Sequence, residues 1–177
     1  MKARVLVYAL PILFGLGCTP KQSEELTQQQ KDQIISEVKA VGDSAMAAFQ
    51  KMDWKGGLQF YANTPDWVMF NADGTDWDYK KTEATMVGMT DLSGNPMTSW
   101  KWTTTSQRFM VVNKDMVAIA WVGKDESTMK SGDIVVYDPH AYTWIMKRMG
   151  GQWKVVWSHD SGVPVIKKAA ATQQPRR

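Results

Sequence analysis

The chain has 177 residues, 44% hydrophobic and 22% charged, the composition of a folded globular protein rather than a disordered or fibrous one. Its single Cys excludes an intramolecular disulfide and a cysteine-based zinc cluster, its two His exclude a three-histidine site, and no metal or cofactor is expected. The formal charge of +3 comes from the ends: residues 18–164 carry 15 Lys and Arg against 18 Asp and Glu, a net of −3, so no basic face offers itself to nucleic acid.

Lys2 and Arg4 precede an uncharged apolar run, Val5 to Leu16, which has signal-peptide length and is too short to span a bilayer. The run ends in Phe14-Gly15-Leu16-Gly17-Cys18. This resembles a bacterial lipoprotein signal, in which the cysteine is acylated and becomes the new N-terminus, although Leu16 stands one residue closer to Cys18 than in the common pattern. The resemblance implies removal of residues 1–17, lipidation at Cys18 and a tether over residues 18–22. Thr19 follows the cysteine where Asp would signal inner-membrane retention, so the expected location is the cell envelope, anchored in the outer membrane and facing the periplasm.

Residues 23–164 are expected to form one domain, and residues 165–177 a disordered basic tail. Ser23 with Glu24 and Glu25 supplies a helix start. Ile34, Val38, Val41, Ala45, Phe49 and Met52 then recur at helical spacing and predict a long amphipathic helix. Asp53–Tyr61 reads as a short second helix and Trp67–Asn71 as a first strand that ends at Asp73-Gly74. Asp78–Met89 is predicted to be a third helix, broken at Ser93-Gly94-Asn95-Pro96. Strands are predicted over Ser99–Val112, Met116–Gly123, Ile134–Met149 and Gln152–Ser161, all rich in Val, Ile, Thr, Trp and Tyr. Helices followed by antiparallel strands give an α+β fold class.

Gly150-Gly151 predicts a two-residue hairpin turn, and strict alternation from that turn fixes the faces of the last two strands. It pairs Arg148 with Trp153, Met146 with Val155, Trp144 with Trp157 and Tyr142 with His159, all on one aromatic face. Lys147–Lys154, Ile145–Val156 and Thr143–Ser158 fall on the other. In the middle hairpin Phe109, Val111, Val117, Ile119 and Trp121 share one face, and Met110, Val112, Met116, Ala118 and Ala120 the other. A sheet apolar on both sides needs two covers; helices supply one, and a second copy of the chain through Ile145 and Val156 is the expected other.

The run from Ala141 to Ser161, Ala-Tyr-Thr-Trp-Ile-Met-Lys-Arg-Met-Gly-Gly-Gln-Trp-Lys-Val-Val-Trp-Ser-His-Asp-Ser, resembles the terminal hairpin of SnoaL-like domains in the nuclear transport factor 2-like superfamily. Leu58–Asp66 resembles the end of that family's second helix before its first strand, and Asn113–Ala118 its central turn. The resemblance spans about Ser23 to Gly162. It implies a cone-shaped curved sheet wrapped around the long N-terminal helix, with a pocket inside and frequent dimers through the outer face. The superfamily includes ketosteroid isomerase, polyketide cyclases and the association domain of calcium/calmodulin-dependent kinase II, so the fold does not fix the function.

His159 matches the family's strand-end histidine, and with Tyr142 opposite it is the candidate acid–base pair. Trp100, Trp102, Trp144, Met146, Val155 and Trp157, with His159, are the candidate ligand-binding residues, since indole rings stack flat or aliphatic ligands. Asp160 alternates to the other face. Asp66 matches a family acid at the first strand but also reads as a turn residue. Asn71, Asp73, Asp76 and Asp78 lack the acid an EF-hand loop requires, because Lys80 stands there. No phosphate loop or nucleophile elbow is present. Three functions follow: a pocket binding a small apolar or aromatic molecule without catalysis, an isomerase-, cyclase- or dehydratase-like enzyme using His159, or a dimeric recruitment module of the envelope.

Overall fold

The structure, a computed structural model, describes residues 25–91 and 95–169. Residues 1–24, including Cys18 and the expected tether, lie outside the described residues. The long helix α1 runs Gln28–Gln50. Its cap is Thr27: the Thr27 hydroxyl accepts the Gln30 N–H at 3.2 Å, and the Gln30 side chain accepts the Thr27 N–H at 2.8 Å. This reciprocal box satisfies two amides that a helix start leaves open, and Glu25 stands outside the helix. Ile34, Val38, Ala45 and Phe49 are buried along one stripe, as the spacing predicts. Gly42 is on the same stripe because a Cβ there would lie 3.0 Å from the Trp121 ring.

A short helix, α2 (Trp54–Gly57), is capped by Asp53 and continues as a 3₁₀ turn over Leu58–Phe60. Strand β1 (Val68–Phe70) pairs with a two-residue strand that the sequence did not predict, β2 (Asp76–Trp77). Gly74, at φ 82°, makes the turn between them. Helix α3 (Tyr79–Thr90) starts from Asp78, whose carboxylate accepts the Lys81 N–H. Four long strands follow: β3 (Met97–Asn113), β4 (Met116–Met129), β5 (Ile134–Met149) and β6 (Gln152–Lys167).

The curved six-stranded sheet has the order β2-β1-β6-β5-β4-β3, antiparallel except for β1 against β6. Strand β4 outruns its predicted end at Gly123, because Asp125 and Ser127 continue its buried side. Strand β6 also runs past the expected boundary at residue 164: Val165 and Ile166 pair with Val136 and Val135. Asp133 then holds Lys168 and the Ala169 N–H at 3.0 and 2.9 Å, so residues 165–169 belong to the fold and not to a tail.

The register of β5 and β6 corrects the central expectation. From the Gly150-Gly151 turn the pairs run as predicted up to Met146–Val155. There β6 carries one extra residue, so Ile145 faces both Val156 and Trp157, and the pairs from Trp144 to His140 move by one. Trp144 now faces Ser158, Tyr142 faces Asp160 and Thr143 faces His159. Ser158 and Asp160 turn inward, while Trp157 and His159 turn outward, where Trp157 packs on Phe70 and His159. A second irregularity lies at Asp138-Pro139, a cis peptide, between the pairs Tyr137–Pro164 and His140–Gly162. Both Tyr137 and His140 therefore lie on the inner side, with their rings stacked 4.6 Å apart.

Candidate functional site

Cross-sheet rows set the inner wall. Val111, Val117, Met146 and Val155 form one row; Phe109, Ile119, Trp144 and Ser158 the next; Gln107, Trp121, Tyr142 and Asp160 a third. The first is wholly apolar and carries much of the core, with Val117, Met146 and Val155 fully buried. The second and third end in a hydroxyl and a carboxyl on β6. At that end the sheet, α1, α2 and α3 enclose a cavity of about 190 Å³. Its walls are Met46, Phe49, Trp54, Tyr61, Met69 and Trp77, then Met86, Met89, Trp100, Tyr142 and Trp144, with Asn71, Thr85, Ser158 and Asp160 as polar members.

Three atoms around this cavity, Trp54 Nε1, Ser158 Oγ and Asp160 Oδ1, are buried without a hydrogen-bond partner among the described residues. Buried polar atoms rarely stay so. Among the described residues no Lys or Arg lines the cavity. Burial pushes the Asp160 carboxyl above its ordinary range; His140, the Ala72 backbone N–H and His159 hold it part-way down, and Asp73 adds to the rise.

Behind Asp160 lies His140, which is 2% exposed. Its Nε2 is 4.0 Å from an Asp160 oxygen, and its Nδ1 is 3.4 Å from Asp125 Oδ2. Asp125 Oδ2 also accepts the Tyr142 hydroxyl at 3.3 Å. Burial pushes the Tyr142 hydroxyl well up, and the neighbouring carboxylates Asp125 and Asp160 push it further. Tyr142 and Trp102 pack around the imidazole with ring centroids 4.4 and 6.0 Å away. Gly162 fits beneath it, where a Cβ would stand 3.0 Å from His140 Cδ2.

A wider, open groove of about 460 Å³ runs between the N-terminal half of α1 and the β3–β4 turn. It is the larger of the two, but its Glu37, Asp115 and Arg148 already answer one another. Glu37 accepts Arg148 at 2.7 Å and the Trp153 indole N–H at 3.0 Å, and Asp115 lies 3.7 Å from Arg148. The smaller cavity holds the unsatisfied chemistry.

Of the sequence-predicted residues, Trp100, Trp144 and Tyr142 line the cavity. Trp102 stands behind the wall, packed on Tyr142 and His140. Met146 and Val155 are core. Trp157 and His159 lie on the convex face, so His159 does not meet Tyr142 and cannot act in the cavity. Asp66 is exposed in the turn before β1. Among the aspartates near Gly74, Asp73 binds Thr75 and Asp78 caps α3.

No family model matches the chain, and no curated protein matches it. Solved structures do. A Salmonella enterica serovar Typhimurium protein of the nuclear transport factor 2-like superfamily superposes with TM-score 0.64 over 82% of this chain and 99% of that one, at 11% identity. The chain has the nuclear transport factor 2-like fold. A candidate scytalone dehydratase from Novosphingobium aromaticivorans, with the same fold, gives TM-score 0.68 at 8% identity, covering 85% of this chain and all of that one. A type 2 hexachlorocyclohexane dehydrochlorinase gives 0.63 at 12% identity over 85% and 98%. At these identities the likeness concerns the fold, and the chemistry has to be argued from the cavity.

Proposed function

We propose that this chain binds a small, ring-sized molecule in the cavity and moves a proton on it through Asp160, as an isomerase- or dehydratase-type catalyst. The observation that carries the reading is the pairing of an apolar, aromatic wall with a carboxyl whose Oδ1 has no partner in the protein. Engineered cavities of about 150 Å³ hold benzene, so 190 Å³ suits one ring with a polar substituent. The wall supplies desolvation and stacking, Ser158 and the Trp54 indole N–H supply orientation, and Asp160, its carboxyl pushed up by burial, supplies the proton-transfer group. Two structurally similar proteins bear the names of elimination enzymes, which supports this class.

The test needs no natural substrate. A carboxylate in a dry aromatic site takes the ring proton of nitrobenzisoxazole as the N–O bond breaks, releasing a coloured cyano-nitrophenolate. The wild type should accelerate this elimination, and Asp160→Asn should lose about 100-fold or more. Equal rates in the two proteins refute the catalytic reading; quenching of the tryptophans by phenol or indole in both would then leave binding without turnover.

The same proposal places the domain on a lipid anchor at Cys18 in the outer membrane, facing the periplasm, with a Cys18→Ser chain leaving the membrane fraction. It also pairs two copies through the convex face, where Phe70, Met110 and Val112 are exposed.

A further inference from the structure

Asp160 and Tyr142 both reach the cavity, and behind its wall the same two residues are joined through His140 and Asp125. His140 Nε2 faces Asp160 at 4.0 Å, His140 Nδ1 faces Asp125 at 3.4 Å, and the Tyr142 hydroxyl donates to the same Asp125 oxygen at 3.3 Å. Neither imidazole nitrogen has a well-formed hydrogen bond, and Asp125 Oδ1 has no partner. The imidazole lies in a dry place with a carboxyl within 3.4 Å of one nitrogen and another within 4.0 Å of the other, and a buried charge is tolerated only with a counter-charge beside it.

We infer that His140, held by Asp125, is a positioning residue that sets the protonation of Asp160 from behind the cavity wall. This rests on the proton-transfer reading of the cavity and names what regulates its acid–base group. When the imidazole holds a proton, Asp160 can stay ionised and accept one from the ligand; Asp125 balances the imidazolium. The Tyr142 hydroxyl keeps its proton and donates it in a hydrogen bond to Asp125, which anchors the Tyr142 ring in the cavity wall. The other ionisable groups around this core are Tyr137 on β5, His159 on the far side of β6, Asp73 in the β1–β2 turn and Tyr61 after α2. None of them stands between Asp160 and Asp125 as His140 does.

The experiment follows the Asp160 carboxyl carbon by NMR against pH in the full mature chain, with His159→Gln as background so that His140 is the one histidine left. In that background the Asp160 curve should show two inflections, each matched by a change in the His140 ring nitrogens, the signature of one proton shared between sites. Adding His140→Gln should merge them into one step, at a pH about one to three higher, because the neighbouring positive charge is gone. The pH profile of nitrobenzisoxazole elimination should move up by the same interval. A merely structural role would lower the plateau and leave the midpoint in place. A single Asp160 step with no echo in His140 overturns the inference, and it does so even if His140→Gln fails to fold. Because the titration needs no turnover, an inactive protein with coupled titrations would sink the catalytic reading alone.

Discussion

Replacing Gly123 by Ala tests how tightly the site's back wall is built. The added Cβ would stand 2.3 Å from the Thr103 carbonyl oxygen and 2.7 Å from Trp102 Cζ2. Both are far inside van der Waals contact, and the first is backbone, so strand β3 or the indole must move. Trp102 is held by its N–H bond to Thr104 at 2.8 Å and by packing on Tyr142. Overpacking of this kind costs about 1–3 kcal/mol, and a broken indole hydrogen bond adds about 1 kcal/mol. The stiffer unfolded chain returns only about 0.4–1 kcal/mol. The expected net loss is about 1–3.5 kcal/mol, which for a domain of this size lowers Tm by about 2–14 °C. Urea unfolding followed by tryptophan emission measures it, and near-UV circular dichroism reports the displaced ring. A variant within about 0.5 kcal/mol of wild type, with an unchanged aromatic spectrum, would show that Trp102 does not lie against β4 and that the described back wall is wrong.

Glu37, held down to about 2 by the Trp153 indole N–H, Gln33 and Arg148, contributes stability that is present above about pH 4.5, its unfolded value, and is lost as pH falls toward 2; with its partial exposure the contribution is about 1–2 kcal/mol after screening. Acid unfolding of Glu37→Gln should accordingly lack that segment of pH dependence, and an unchanged acid limb would remove Glu37 from the account. Ser158→Ala should hold or raise Tm while weakening phenol or indole binding, since the mutation deletes a buried hydroxyl with no protein partner; a marked loss of stability would mean the hydroxyl is bonded. Ile145→Lys combined with Val156→Lys should turn a dimer into a monomer in sedimentation velocity, and a dimer that survives both charges assigns the contact to another face.

Helix order, the α+β class and most strands were legible because periodicity and turn chemistry are local. The stripe on α1 and the Gly150-Gly151 turn came directly from the residues, and so did both faces of the middle hairpin. The cavity's polar groups were not legible. Alternation assigned Asp160 outward and His159 inward, and nothing in Val155-Val156-Trp157 announces an extra residue: no Gly marks it, and all three suit a strand. The bulge goes with long-range pairing, which sets Trp144 opposite Ser158 and lines β1 up beside Trp157, Ser158 and His159. His140 carried a local hint in the preceding Pro139, which does mark an irregularity. Its partners Asp125 and Asp160 are 15 and 20 residues away in sequence, and only the register of three strands brings them together. The methionines of the wall, Met46 on α1, Met69 on β1 and Met86 and Met89 on α3, carry no local signal that separates a cavity lining from ordinary core.

The extra residue in β6 has an evolutionary consequence. Its strand carries two interleaved sets of side chains, Trp157 with His159 and Ser158 with Asp160, and the pairing frame decides which set enters the cavity. Pairing Val156 alone with Ile145, so that the bulge is lost and the residue kept, would exchange an acidic, hydroxyl-bearing wall for an indole and an imidazole, whereas deleting Val156 would keep Ser158 and Asp160 inward on a regular strand. A lineage with this hairpin stands one lost bulge from a differently equipped interior, so reaction chemistry on this scaffold can diverge by sliding as well as by replacement.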